Sequence, residues 1–165
     1  MKALKYLLIA LCTVAFFGCK PEKFGPITSN VAVVKQLQGT WGLTKVVQVD
    51  QDAKTKGFPY KELDITNVYA YKDLVIALQL DALGNPSTFT ITNGNAPKIV
   101  DLTSGNWSVD QNLAPTTIAL KNGTVTNALS LGSYTGLSSG KLYLVRNKSI
   151  NGKVILSYQY EFTKK

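Results

Sequence analysis

Two cysteines, ten carboxylates and no histidine set the chemistry open to this 165-residue chain. Without an imidazole it lacks the side chain that titrates near neutral pH, which is also the commonest metal ligand. Both thiols, Cys12 and Cys19, fall in the first twenty residues. None remains further along for a zinc site, a nucleophile or a structural disulfide. The carboxylates are dispersed. Asp50 and Asp52 stand two apart, as do Glu62 and Asp64. Such pairs suit a glycosidase or a calcium site when further ligands converge on them. An exposed polar loop is the simpler reading. No glycine-rich phosphate loop or serine elbow occurs. The expectation is a protein that is not an enzyme, with no catalytic residue, no metal and no cofactor.

The cysteines point to a location instead. Lys2 and Lys5 precede an uncharged, mostly apolar run, Tyr6 to Phe17, and Gly18 then precedes Cys19. This is the layout of a secretory signal. Twelve apolar residues are too few for a membrane span, which needs about 20. A small residue followed by cysteine at that boundary resembles the lipobox of bacterial lipoproteins. The resemblance implies cleavage before Cys19 and lipidation of its thiol, hence an outer-membrane lipoprotein facing the periplasm or the cell surface. Several acyl chains, at ~0.8 kcal/mol per buried methylene, would anchor it stably.

On that reading residues 1–18 are signal peptide, 19–30 a lipidated tether and 31–165 the folded domain. The tether, KPEKFGPITSN after the cysteine, holds two prolines and little apolar material. The mature chain keeps 147 residues, enough for one domain with a core. Its charge falls from +8 to +6 as Lys2 and Lys5 leave. Arg146 is the single arginine, and the lysines are scattered. A nucleic-acid surface favours arginine and a basic stripe, so no nucleic-acid partner is expected. The expected contacts are the membrane, through the anchor, and a small apolar molecule or a glycan. A monomer is expected.

Period-two alternation dominates from Thr40 onward. In Val154–Phe162 the residues Val154, Leu156, Tyr158, Tyr160 and Phe162 share one face, while Ile155, Ser157, Gln159 and Glu161 share a wet one. Similar runs cover 41–49, 74–80, 88–92, 106–109, 117–120, 126–131 and 141–145. Asn-Gly pairs at Asn93, Asn122 and Asn151 supply the positive φ that tight hairpins need. The spacing predicts an all-β, antiparallel up-and-down barrel of about eight strands, because an open meander would leave exposed edges. Val31–Gln38 reads as a short helix capped by Asn30 and ended by Gly39. Asp50–Asp73 reads as a long loop with one helical turn near Asn67–Lys72.

The stretch Leu37-Gln-Gly-Thr-Trp41, a short helix and then Gly-x-Trp opening a strand, resembles the lipocalin signature. It is similar to the start of lipocalin-like domains of unknown function in bacterial lipoproteins. The resemblance implies that Trp41 plugs the closed end of a barrel with a basic residue over its indole, and Arg146 is the candidate by position. A second Gly-x-Trp, Gly105-Asn106-Trp107, reads as part of a middle strand. Phe89, Trp107, Tyr158 and Tyr160 are candidate ligand-lining residues on the inner face. Phe58, Tyr60, Tyr69 and Tyr71 would form a portal loop or close the barrel by packing. Small barrels either fill with side chains or hold one ligand. The functional expectation is a binding protein for a small apolar or amphipathic ligand. The alternative is a non-enzymatic interaction module, a glycan-uptake accessory, assembly factor or inhibitor, acting through strand-end loops.

Overall fold

A strand with one apolar face buries that face by curling, and a curled sheet loses its edges only when its first strand meets its last. The computed structural model, which describes residues 33–165, shows that closure. A short helix, α1 (Val33–Leu37), leads into β1 (Gly39–Asp50). After a second short helix, α2 (Gln51–Thr55), and a three-residue strand, β2 (Glu62–Asp64), the chain runs through seven further strands. These are β3 (Val75–Leu80), β4 (Pro86–Thr92), β5 (Ser104–Val109), β6 (Thr117–Asn122), β7 (Val125–Leu131), β8 (Lys141–Ile150) and β9 (Lys153–Lys164). All pairings are antiparallel between sequence neighbours, except that β1 skips to β3 and also pairs with β9. The β1–β9 ladder runs from Trp41↔Lys164 to Asp50↔Leu156 and closes an eight-stranded up-and-down barrel. At the β8–β9 hairpin Asn151 and Gly152 both take positive φ, 50° and 76°, the conformation a two-residue turn requires.

The sequence resolves the Asp50–Asp73 segment less well. Instead of a plain loop it contains α2 and β2, and its 3-10 turn falls at Tyr71–Asp73, slightly later than expected. Asp50 starts α2: its Oδ1 accepts the backbone N–H groups of Asp52 and Ala53, both at 2.9 Å. The helix covers the outer face of the barrel near the Asp50 end. There Ser157, expected on a wet face, is buried and bonded to Gln51 and Asn147. The proposed cap Asn30 lies outside the described residues, as do Cys12 and Cys19.

The Gly39 end of the barrel is closed. Trp41 is fully buried, and its Nε1 donates to the Leu37 carbonyl at 2.8 Å, which ties α1 across the opening. Leu37, Val34, Leu142 and Phe162 pack into the same core. The cation over the indole is Lys164, 5.4 Å from the ring centroid. Arg146 does not fill this role, and the register explains why. Arg146 pairs with Tyr158, which pairs with Gln48, seven residues along β1 from Trp41. At ~3.3 Å per residue that separates them by roughly 23 Å. Gly39 permits the lysine's approach: a Cβ there would sit 2.6 Å from Lys164 Cε.

β1 follows β3 only from Gly39 to Gly42 and then diverges. Beyond the divergence its edge is covered by the β1–β3 connection. β2 pairs with Val47–Val49, Ile65 N donates to Val46 O at 3.0 Å, and Val46 N donates to Thr66 Oγ1 at 2.9 Å. A buried hydroxyl therefore stands in for the missing strand. Thr66→Val keeps the shape and removes the acceptor, so it should cost about 1–3 kcal/mol by orphaning the Val46 amide. Thr66→Ser should cost under ~1 kcal/mol. Urea unfolding of the two variants tests this; a larger loss in Thr66→Ser than in Thr66→Val would show that the methyl, not the hydroxyl, matters.

Candidate functional site

Along the inner face the side chains change character from one end to the other. On β1 the buried residues Trp41, Leu43 and Val46 give way to Gln48; on β9 Phe162 gives way to Tyr160 and Tyr158; on β8 Leu142 and Leu144 give way to Arg146 and Lys148. Strand alternation puts each of these sets on one side, with the bulge between Leu43 and Lys45 shifting the parity in β1. The lumen is oily at the closed end and polar and cationic at the mouth.

Two connections fold inward at the mouth. The β1–β3 connection buries Ile65 and Tyr71, and the β4–β5 connection buries Ala96, Ile99 and Val100. With the strand residues they form one continuous core. What stays open is a cleft of about 770 Å³. One wall comes from Leu63, Ile65, Val68, Tyr69 and Tyr71, a second from Pro97 and Lys98. The floor comes from Gln48, Arg146, Asn147, Lys148, Tyr158 and Tyr160. Tyr69 and Tyr71 meet edge to face, 5.8 Å between centroids. Arg146 Nη1 donates to the Ile99 carbonyl, which pins the β4–β5 connection to the barrel.

Of the residues the sequence singles out, four belong to this cleft: Tyr69, Tyr71, Tyr158 and Tyr160, joined by Arg146 in a different role. The others do not. Phe89 and Trp107 are 1% and 2% exposed and form part of the packed core, so they cannot touch a ligand without the barrel opening. Trp107 Nε1 donates to Gln79 O at 2.7 Å. Phe58 and Tyr60 point to solvent, Tyr60 at 94% exposure, and line no wall of the cleft. Sequence reasoning missed Val68, Lys98 and Lys148. Lys148 was findable, since Leu144, Arg146 and Lys148 share a face by period two.

Three of the four paired carboxylates serve the fold. Asp50 caps α2, Asp52 bridges Lys56 at 2.6 Å and Lys153 at 3.3 Å, and Asp64 accepts the Thr66 amide at 2.9 Å. Hydrogen bonding from Thr66 holds the Asp64 carboxyl below its ordinary range. Among the described residues no group of three or more His, Cys, Asp and Glu side chains gathers in one place. A second, smaller groove of about 400 Å³ lies between the β7–β8 connection and β1, β8 and β9, beside Tyr143, Gln159 and Glu161.

Burial pushes the Tyr160 phenol far above its usual range, with Tyr71 adding to the effect and Arg146 opposing it. Burial likewise raises Tyr71. Both phenols ionise near pH 10 in the unfolded chain. Above that pH the unfolded state releases protons that the folded state retains, so stability falls as pH rises. The urea midpoint should drop between about pH 9 and pH 11.5, and drop less in Tyr160→Phe. Equal alkaline slopes in the two proteins would remove Tyr160 from the account.

No curated protein matches the chain. One family profile does, over residues 21–163, nearly the whole sequence. The chain therefore belongs to the family described as Domain of unknown function (DUF5004).

Proposed function

We propose that this chain is a lipid-anchored cell-envelope protein that holds a small apolar or amphipathic molecule in the mouth of its barrel and carries out no catalysis on it. The single observation behind this reading is the cleft. Its size falls in the range of small-molecule sites, about 300–1,000 Å³, and its walls combine aromatic and aliphatic side chains with a few polar groups. The structural duties of the acidic residues support a non-catalytic role. The Cys19 boundary supports anchoring at the outer membrane.

A neutral apolar dye, N-phenyl-1-naphthylamine, tests the binding reading. One dye should bind per chain. Val68→Asp, at an exposed position on the cleft wall, should weaken binding by roughly tenfold without changing the urea midpoint. Absence of saturable binding, together with a bare chain in native mass spectrometry, would overturn the reading. The anchor has its own test. In the bacterial host, Cys19→Ala should abolish incorporation of labelled palmitate and release the protein from membranes, whereas Cys12→Ala should do neither.

One observation favours a second reading, a surface interaction module. Phe58, Tyr60, Leu63, Val68 and Tyr69 are exposed on the β1–β3 connection, with Ile150 on the β8–β9 hairpin at the same end. Exposed aromatic and aliphatic residues gathered at one end suit contact with a macromolecule. Tyr60→Ser with Phe58→Ser would abolish such a contact and leave dye binding intact.

A further inference from the structure

The cleft has a charge asymmetry that the small-molecule reading does not by itself require. Three cations line it, Lys98, Arg146 and Lys148, and no aspartate or glutamate does. Arg146 is half-buried. The ion pairs of the described residues join Lys56 and Lys153 to Asp52, and Lys141 to Glu161. Among the described residues, then, no carboxylate neutralises Arg146 within salt-bridge distance. Its recorded partner is a neutral carbonyl, that of Ile99.

A guanidinium carries five N–H donors in a rigid fork, and one such bond leaves most of them open. Removing a cation partly from water without a counter-charge is unfavourable, and it becomes favourable when an anion enters with matching geometry. The bond to Ile99 also holds the fork in place before any ligand arrives, which lowers the ordering cost of binding. Lys98 on the β4–β5 connection and Lys148, two residues along β8, add positive potential on the same cleft. The wall supplied by the β1–β3 connection, Val68, Tyr69 and Tyr71, is apolar and aromatic.

We infer that the occupant of this cleft is an anionic amphiphile, a small molecule whose acidic head, carboxylate, sulfonate or phosphate, sits at Arg146 with Lys98 and Lys148 around it, and whose apolar body lies against Val68, Tyr69 and Tyr71. The inference rests on the binding reading above and specifies its ligand class. Tyr158 pairs with Arg146 across the β8–β9 ladder, so the floor that takes the acidic head also carries phenols, and the apolar body lies on the neighbouring wall. A neutral ligand of the same shape would leave the guanidinium without its counter-charge and bind less tightly.

Two dyes of similar framework separate these statements. 1-Anilinonaphthalene-8-sulfonate carries an anionic head that N-phenyl-1-naphthylamine lacks. The quantity to measure is the ratio of their affinities for the full folded domain, by fluorescence titration at low salt. Arg146→Met should lower the ratio about tenfold, because only the anionic dye loses its counter-charge while any loosening of the β4–β5 connection acts on both dyes alike. Lys148→Gln, at an exposed position outside the core, should lower it about threefold, so the test survives if Arg146→Met fails to fold. Raising the salt to ~0.5 M should weaken the anionic dye alone. An unchanged ratio in the folded variants, with both dyes bound, would overturn this inference and spare the binding reading. Failure of both dyes to bind the unaltered chain would overturn the binding reading and this inference with it.

Discussion

Strand β1 has two edges and must satisfy three partners, and most of the structure follows from how it does so. On one edge it pairs with β9 from Trp41 to Asp50, and this ladder turns a meander into a barrel. On the other it pairs with β3 for only four residues, Gly39 to Gly42. Had β3 continued alongside, the barrel would be evenly closed around its circumference. Since it does not, the amides and carbonyls of Val46 to Val49 need other partners, as buried backbone groups must. The chain between α2 and β3 supplies them through β2, Ile65 and Thr66. To do so it must lie across the mouth, and that placement brings Ile65 and Tyr71 into the core and leaves Val68 and Tyr69 on the cleft wall.

The two ends of the barrel solve the same problem with different chemistry. At the Gly39 end the solution is apolar: an indole, a helix of five residues, Leu142 and Leu144 of β8 and Phe162 of β9 fill the space. One lysine there, Lys164, lies over the indole face with its head in water, an arrangement worth about 0.5–1 kcal/mol at an exposed site. At the mouth a buried row could not continue without sealing the barrel, and the residues that follow are Gln48, Arg146, Lys148 and Tyr158. Arg146 spans both tasks. Its aliphatic stem continues the row begun by Leu142 and Leu144, while its head anchors Ile99 and faces the cleft. Lysine in this position would supply the charge but not the planar fork that holds the Ile99 carbonyl and keeps further donors open.

Much of the barrel was legible in the sequence because period-two alternation reports directly on which residues face a shared interior. The run from Tyr158 to Phe162 and the Asn151-Gly152 turn carry their conformation in their composition. What alternation does not report is which partner an edge finds. Nothing in Val46–Val49 announces that β3 will leave, so the residues that replace it, Glu62 to Thr66, looked like loop. The same limit explains Arg146. Its place late in β8 suited the closed-end plug, but direction along a strand depends on the register with β9, which sequence spacing leaves open. Ser157 shows a third limit: its outward side is buried only because α2 folds back onto it.

The two Gly-x-Trp triplets illustrate how a local pattern can share a cause without sharing a role. Gly39 and Gly105 both take strongly positive φ, 139° and 147°, at the start of a strand. A Cβ on Gly39 would meet the flexible end of Lys164, and one on Gly105 would sit 2.2 Å from the Lys121 backbone oxygen and 3.1 Å from the Phe89 ring. In each case the glycine admits a close neighbour, and the tryptophan two residues later turns inward and donates its indole N–H to a carbonyl, of Leu37 or of Gln79. The first triplet seals an end, because α1 is there to receive the bond. The second locks β5 to the end of β3, where β3 shifts register between Leu78 and Leu80. Neither tryptophan reaches the cleft. The indoles belong to the packed core, and the cleft is left to tyrosines, aliphatic side chains and cations on strands and connections.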